Sequence, residues 1–91
     1  MNTDTFVTTT QLNLMRHALG LDNEKRPYRN RFYTAITDLD GVAWKDLVDR
    51  GLAVQLPGWK SEINMAYFKC TYDGAKLAYG KPLSEKRFKA L

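Results

Sequence analysis

The sequence predicts a single α+β domain built from three or four short helices and a two- or three-stranded antiparallel β-hairpin. Three observations carry that prediction. A short amphipathic segment stops at Gly51 and runs straight into the strand-like LAVQL of residues 52–56. Pro57-Gly58 and the polar WKSEIN (59–64) then separate that strand from a second, MAYFKCT (65–71). Thr71 finally stands where a helix cap belongs, ahead of YDGAKLAY (72–79) and the stop at Gly80.

Each element has its own local reason. The first helix starts at one of the threonines 8–10 and ends before Gly20, since threonine accepts a bond from the free amides of a first turn. At about 100° per residue, Leu12, Leu14, Met15, Ala18 and Leu19 share half the wheel, leaving Asn13, Arg16 and His17 outside. Pro27 interrupts the stretch that follows, and YRNRFYTAI (28–36) could be a short strand or a short helix, since Tyr28, Phe32 and Tyr33 fit neither period cleanly. Asp40 is the expected cap of the second helix, VAWKDLVDR (42–50), which turns Ala43, Trp44, Leu47 and Val48 inward. In MAYFKCT, Ala66, Phe68 and Cys70 fall on one side and Met65, Tyr67 and Lys69 on the other. Beyond Pro82, LSEKRFKAL (83–91) forms one more basic turn or frays.

Length and composition bound the rest. Ninety-one residues make one domain, 1–91, with 1–7 and 81–91 as candidate flexible tails. No run approaches a membrane helix, and MNTDTFVTTT lacks the basic-then-apolar order of a secretion signal, so a cytoplasmic chain is expected. One cysteine, Cys70, and one histidine, His17, leave no disulfide framework and no usual zinc ligand set. Cys70 reads as a small buried hydrophobe. There is also no glycine-rich phosphate loop, nucleophile elbow or Cys/His pair at a catalytic spacing. Asp38 and Asp40 could form an acidic pair but are better used as a turn residue and a cap. No enzyme activity and no cofactor or metal are expected.

Charge points to a binding role. The net +4 is uneven: residues 24–31, EKRPYRNR, hold four basic residues and one acid, and residues 76–91 hold five and one. Residues 38–50 hold two basic and four acidic side chains. Lys25, Arg26, Arg29 and Arg31, interleaved with Tyr28, have the chemistry for phosphate contacts beside a stacking ring. Lys45 on the second helix and Trp59 with Lys60 on the hairpin complete the candidate nucleic-acid or partner-binding set. The competing use of these residues is structural. The arginines would solvate a loop with Asp22 and Glu24 as partners, Tyr28 would pack on the core, and Trp59 would cover Trp44.

A short helix feeding a hairpin, then a threonine-capped helix, is also the winged-helix order. LVDRGLAV followed by YFKCTYDGAKLAY resembles the pattern of winged-helix regulators. MRHALGLD, KRPYRNRFYT, LVDRGLA and FKCTYDGAKLAY together resemble a group of small phage- and prophage-encoded proteins of unknown function, over residues 15–79. That resemblance implies a phage origin, hence the host cytoplasm, and brings no activity with it. One departure stands out. The helix that would enter a DNA groove offers Lys45, Asp46, Asp49 and Arg50, and two carboxylates suit a polyanion badly; Lys45 and Asp49, four apart, suit each other.

The expectation is therefore a non-catalytic, winged-helix-like accessory or regulatory protein that engages nucleic acid or a nucleoprotein through a basic surface. The alternative is a protein–protein module: a phage inhibitor of a host or defence protein, or a self-associating domain using Leu83, Phe88 and Leu91 for a homodimer contact.

Overall fold

A computed structural model describes residues 7–59 and 63–91. In chain order it forms α1 (Thr9–Leu19), β1 (Phe32–Ala35), α2 (Leu39–Asp49), β2 (Ala53–Pro57), β3 (Met65–Cys70), α3 (Tyr72–Tyr79) and α4 (Glu85–Lys89). The fold is α+β, four helices with a three-stranded antiparallel sheet in the order β1-β3-β2.

Local chemistry sets most boundaries. Thr8 caps α1 reciprocally: its hydroxyl accepts from the Gln11 N–H at 3.0 Å, while the Gln11 side chain accepts from the Thr8 N–H. Gly20 ends the helix at φ 82, in the left-handed region that favours glycine. Thr71 caps α3 through the Gly74 N–H, and Ser84 caps α4 through the Arg87 N–H. The start of α2 corrects the sequence reading. The cap residue is Asp38, in extended conformation and without a side-chain cap bond, and Asp40 lies inside the first turn. Its surface ion pair is Asp46 with Arg50 at 3.2 Å, in place of the expected Lys45–Asp49 pair.

The unreadable stretch after Pro27 contains β1, which pairs with β3 from Phe32↔Phe68 to Ala35↔Met65. β3 is therefore central, and its inward residues make the core. Phe68 stacks on Trp44 of α2 with ring centroids 5.6 Å apart and planes 14° apart, and Phe32 packs on the same indole. Met15, Ala18 and Leu19 of α1 and Leu47 of α2 close the cluster, all fully buried. Gly74 lets α3 join it, because a Cβ there would run into the Leu52 carbonyl oxygen. Gln11 is also buried, where its amide donates to the Asp46 carboxylate at 2.7 Å and ties α1 to α2.

The C-terminal residues take the first of the two expected forms. α4 turns at Ser84, Leu83 is buried, the Tyr72 hydroxyl donates to the Leu83 carbonyl, and Phe88 packs on the Tyr72 ring at 5.3 Å. Leu83 and Phe88 are thus spent on the domain's own packing. Among the described residues, no helix is long and apolar enough to cross a membrane.

Candidate nucleic-acid interface

β3 presents its two sets of side chains to opposite sides. Ala66, Phe68 and Cys70 are buried, while Met65, Tyr67 and Lys69 are half-exposed on the other face. Register puts Tyr33 of β1 and Leu56 of β2 opposite Tyr67, and Val54 opposite Lys69, so these side chains share the open face. α2 lies on the Phe68 side, and the open face is bordered at Val54, Leu56 and Lys69 by Phe88 and Lys89 of α4 and by Leu91.

The basic loop between α1 and β1 borders this open face, and backbone bonds hold it there. The Tyr28 and Arg31 N–H groups donate to the Leu19 and Ala18 carbonyls, each at 3.1 Å, and the Arg29 guanidinium donates to the His17 carbonyl at 2.8 Å. These are carbonyls of the last turn of α1, which have no partner within the helix. Asn30 supplies the fourth tie. Its buried amide donates to the Cys70 carbonyl at 2.9 Å and accepts from the Cys70 N–H at 2.8 Å, satisfying both backbone groups at the end of β3. With Asn30 turned inward, alternation along an extended chain sends Arg29 and Arg31 the other way.

The result is a groove of about 620 Å³. Tyr28, Arg29 and Arg31 line it from the loop, Leu56 and Trp59 from the hairpin, and Tyr67 and Lys69 from the floor of the sheet. Arg31 lies over the Tyr67 ring at 5.8 Å, Tyr33 packs on the same ring at 4.5 Å, and Arg29 lies 5.5 Å from the Tyr28 ring. A second depression of about 540 Å³ adjoins it at Tyr28 and holds Lys25 and Arg26 together with Arg87 of α4. Arg87 of the C-terminal basic stretch therefore joins the basic loop here, beside Glu24.

Six of the eight residues singled out from sequence, Lys25, Arg26, Tyr28, Arg29, Arg31 and Trp59, gather here. Lys45 does not: it stands on exposed α2, whose Trp44 covers the opposite face of the sheet. Lys60 lies outside the described residues. Tyr67, Lys69 and Arg87 were missed, although alternation in MAYFKCT already placed Tyr67 and Lys69 on one side.

The structural uses foreseen for these residues are taken up in part. Among the described residues, no carboxylate lies within ion-pair distance of Lys25, Arg26, Arg29 or Arg31. Asp22 turns instead to His17, 2.6 Å away, because Gly20 folds the chain back on α1. The hydrogen bond from His17 holds the Asp22 carboxyl below its ordinary range. Tyr28 is 53% exposed, with its ring laid over Gly20, and Trp59 is 65% exposed and not packed on Trp44. Arg29 is the mixed case: one nitrogen is spent on His17, and its Nε is buried without a partner among the described residues.

The rest of the titratable chemistry is sparse. Burial pushes the Cys70 thiol up to about 12, which keeps it protonated and inert at neutral pH. Among the described residues, no three His, Cys, Asp or Glu side chains converge as a metal site would require. Fold and surface define an α+β domain with a half-exposed, basic and aromatic sheet face. Comparison with protein-family models, with curated proteins and with solved structures returned no match.

Proposed function

We propose that this is a non-catalytic binding protein, of the kind encoded by phages, that engages nucleic acid or a nucleoprotein through the basic groove. The observation that carries the reading is a run of arginine and lysine side chains around exposed aromatic rings, with no carboxylate within ion-pair distance of Lys25, Arg26, Arg29 or Arg31 among the described residues. Guanidinium groups without a carboxylate partner are natural partners of phosphate oxygens, and they raise the rate of encounter with a polyanion. In this reading the β2–β3 hairpin is the wing of a winged-helix-like domain. α2 does not read bases: Asp46 already accepts from Gln11 and pairs with Arg50, and the helix faces away from the groove.

Fluorescence anisotropy with labelled oligonucleotides at about 50 and 200 mM salt tests the proposal. With about four phosphate contacts, affinity should fall on the order of 50- to 150-fold across that range. Arg26→Ala with Arg31→Ala should weaken binding alike for all sequences and flatten the salt slope by about one per residue. Affinity independent of salt, or unchanged in the double variant, would sink the reading.

A second reading, a protein–protein module that inhibits a host or defence protein or self-associates, draws on the hairpin. Ile63 is 88% exposed beside Trp59 and Leu56. Under that reading Trp59→Ala abolishes partner capture, whereas the arginine pair changes mainly the association rate.

A further inference from the structure

We propose that the open sheet face is a stacking platform for an unpaired nucleic-acid strand. Trp59 and Tyr28 would take bases over a floor made by Tyr67, and Arg31, Lys69 and Arg29 would take the phosphates. The inference rests on the nucleic-acid reading above and narrows it to one form of ligand.

Geometry favours the single strand. Trp59 and Tyr28 turn large aromatic surfaces to solvent, and Tyr67 forms the floor between them. A ring can stack on a base only where the base has left its own duplex stack, so exposed aromatics on a sheet are of use to an unpaired strand and of little use to a duplex. Charge is placed to match. Arg31 and Lys69 flank Tyr67, on the same face, and Arg29 stands beside Tyr28. A backbone running along the groove would therefore meet cations beside Tyr67 and Tyr28.

Register sets the length. The hairpin end of the groove is level with Ala66, which faces Pro57, and the loop end is level with Cys70, which holds Asn30. Those levels are four residues apart along β3, about 13 Å at roughly 3.3 Å per residue. That suits about two or three bases, the number held by other aromatic sheet faces. Duplex reading would need the opposite side of the molecule. The helix there, α2, carries Asp46 and Asp49 and lies across the sheet from Arg29, Arg31 and Lys69.

The test compares labelled oligo(dT) and oligo(U) of about 15 nucleotides with a blunt duplex of equal strand length, at about 50 mM salt. The full chain is used with Trp59→Ala, Trp59→Phe and Tyr28→Ala, each first shown by circular dichroism to be folded. The expected result is at least tenfold tighter binding of one of the single strands than of the duplex. Trp59→Ala should then lose about tenfold for the single strand and under twofold for the duplex, with Trp59→Phe recovering most of the loss. Quenching of Trp59 emission on binding, read as the difference from Trp59→Phe, reports the stack itself. Equal or tighter duplex binding, or a Trp59→Ala loss that is absent or the same for both ligands, overturns the stacking platform and leaves the phosphate-binding surface standing. Failure to bind any of the three probes removes both.

Discussion

On the covered side of the sheet, Ala66, Phe68 and Cys70 meet Trp44, Met15 and Leu19 in a core that admits almost no solvent. On the open side of the same strand, Met65, Tyr67 and Lys69 meet tyrosine, arginine and a hairpin tryptophan. Both sides are rich in aromatics, so hydrophobicity alone does not tell them apart. What separates them is company: Phe68 lies between an indole and aliphatic side chains, whereas Tyr67 lies beneath a guanidinium. Aromatic rings buried together stabilise a fold, and rings left out among cations are available to a ligand.

Paired substitutions sharpen that contrast most. Phe68→Ala leaves a cavity under Trp44 and should cost about 3–5 kcal/mol, enough to bring a domain of this size near unfolding. Trp59→Ala should stay within about 0.5 kcal/mol of the parent in urea denaturation, despite losing a larger ring. Comparable losses from the two would mean that the open face is part of the core after all.

Asn30 joins the two regions, and its removal should be felt in both. Asn30→Ala strands the Cys70 N–H and carbonyl in a buried setting, at about 1–3 kcal/mol for each group left unpaired. It also removes one of the ties on the loop that carries Arg29 and Arg31, so affinity for nucleic acid should drop even where the protein remains folded. Unchanged affinity in Asn30→Ala would show that the groove does not depend on this anchor.

The smallest effect belongs to the exposed His17–Asp22 pair. The folded Asp22 carboxyl titrates below its ordinary 3.8, so its contribution is present above that pH and lost as pH falls through the folded value. Asp22→Asn should therefore be slightly less stable than the parent near pH 6, and the two should converge in acid. A gap that widened below pH 4 would reverse the assignment.

How far the sequence could be read follows from the range of the interactions. α1 and α3 were legible because a threonine cap and a glycine stop act within a few residues. The start of α2 was misplaced because Asp38 and Asp40 both sit where a carboxylate suits the first turn, and Asp38 makes no side-chain cap bond that would mark it. β1 could not be told from a short helix because Phe32 faces the core while its neighbour Tyr33 pairs with Tyr67, so aromatics on both faces erase the period of two. The groove was legible in its parts, as arginines, Tyr28 and Trp59, and not as an assembly. Asn30 meets Cys70 forty residues away, and only the β1-β3-β2 order brings the loop alongside Tyr67 and Lys69.

The most direct test is a two-dimensional amide NMR titration of the isotope-labelled protein with oligo(dT). The account expects the largest shifts at Arg29–Arg31, Leu56–Trp59 and Tyr67–Lys69, including the Trp59 indole N–H, with α2 quiet. Shifts centred on Lys45–Arg50, or none across the open face at saturating oligonucleotide, would contradict it.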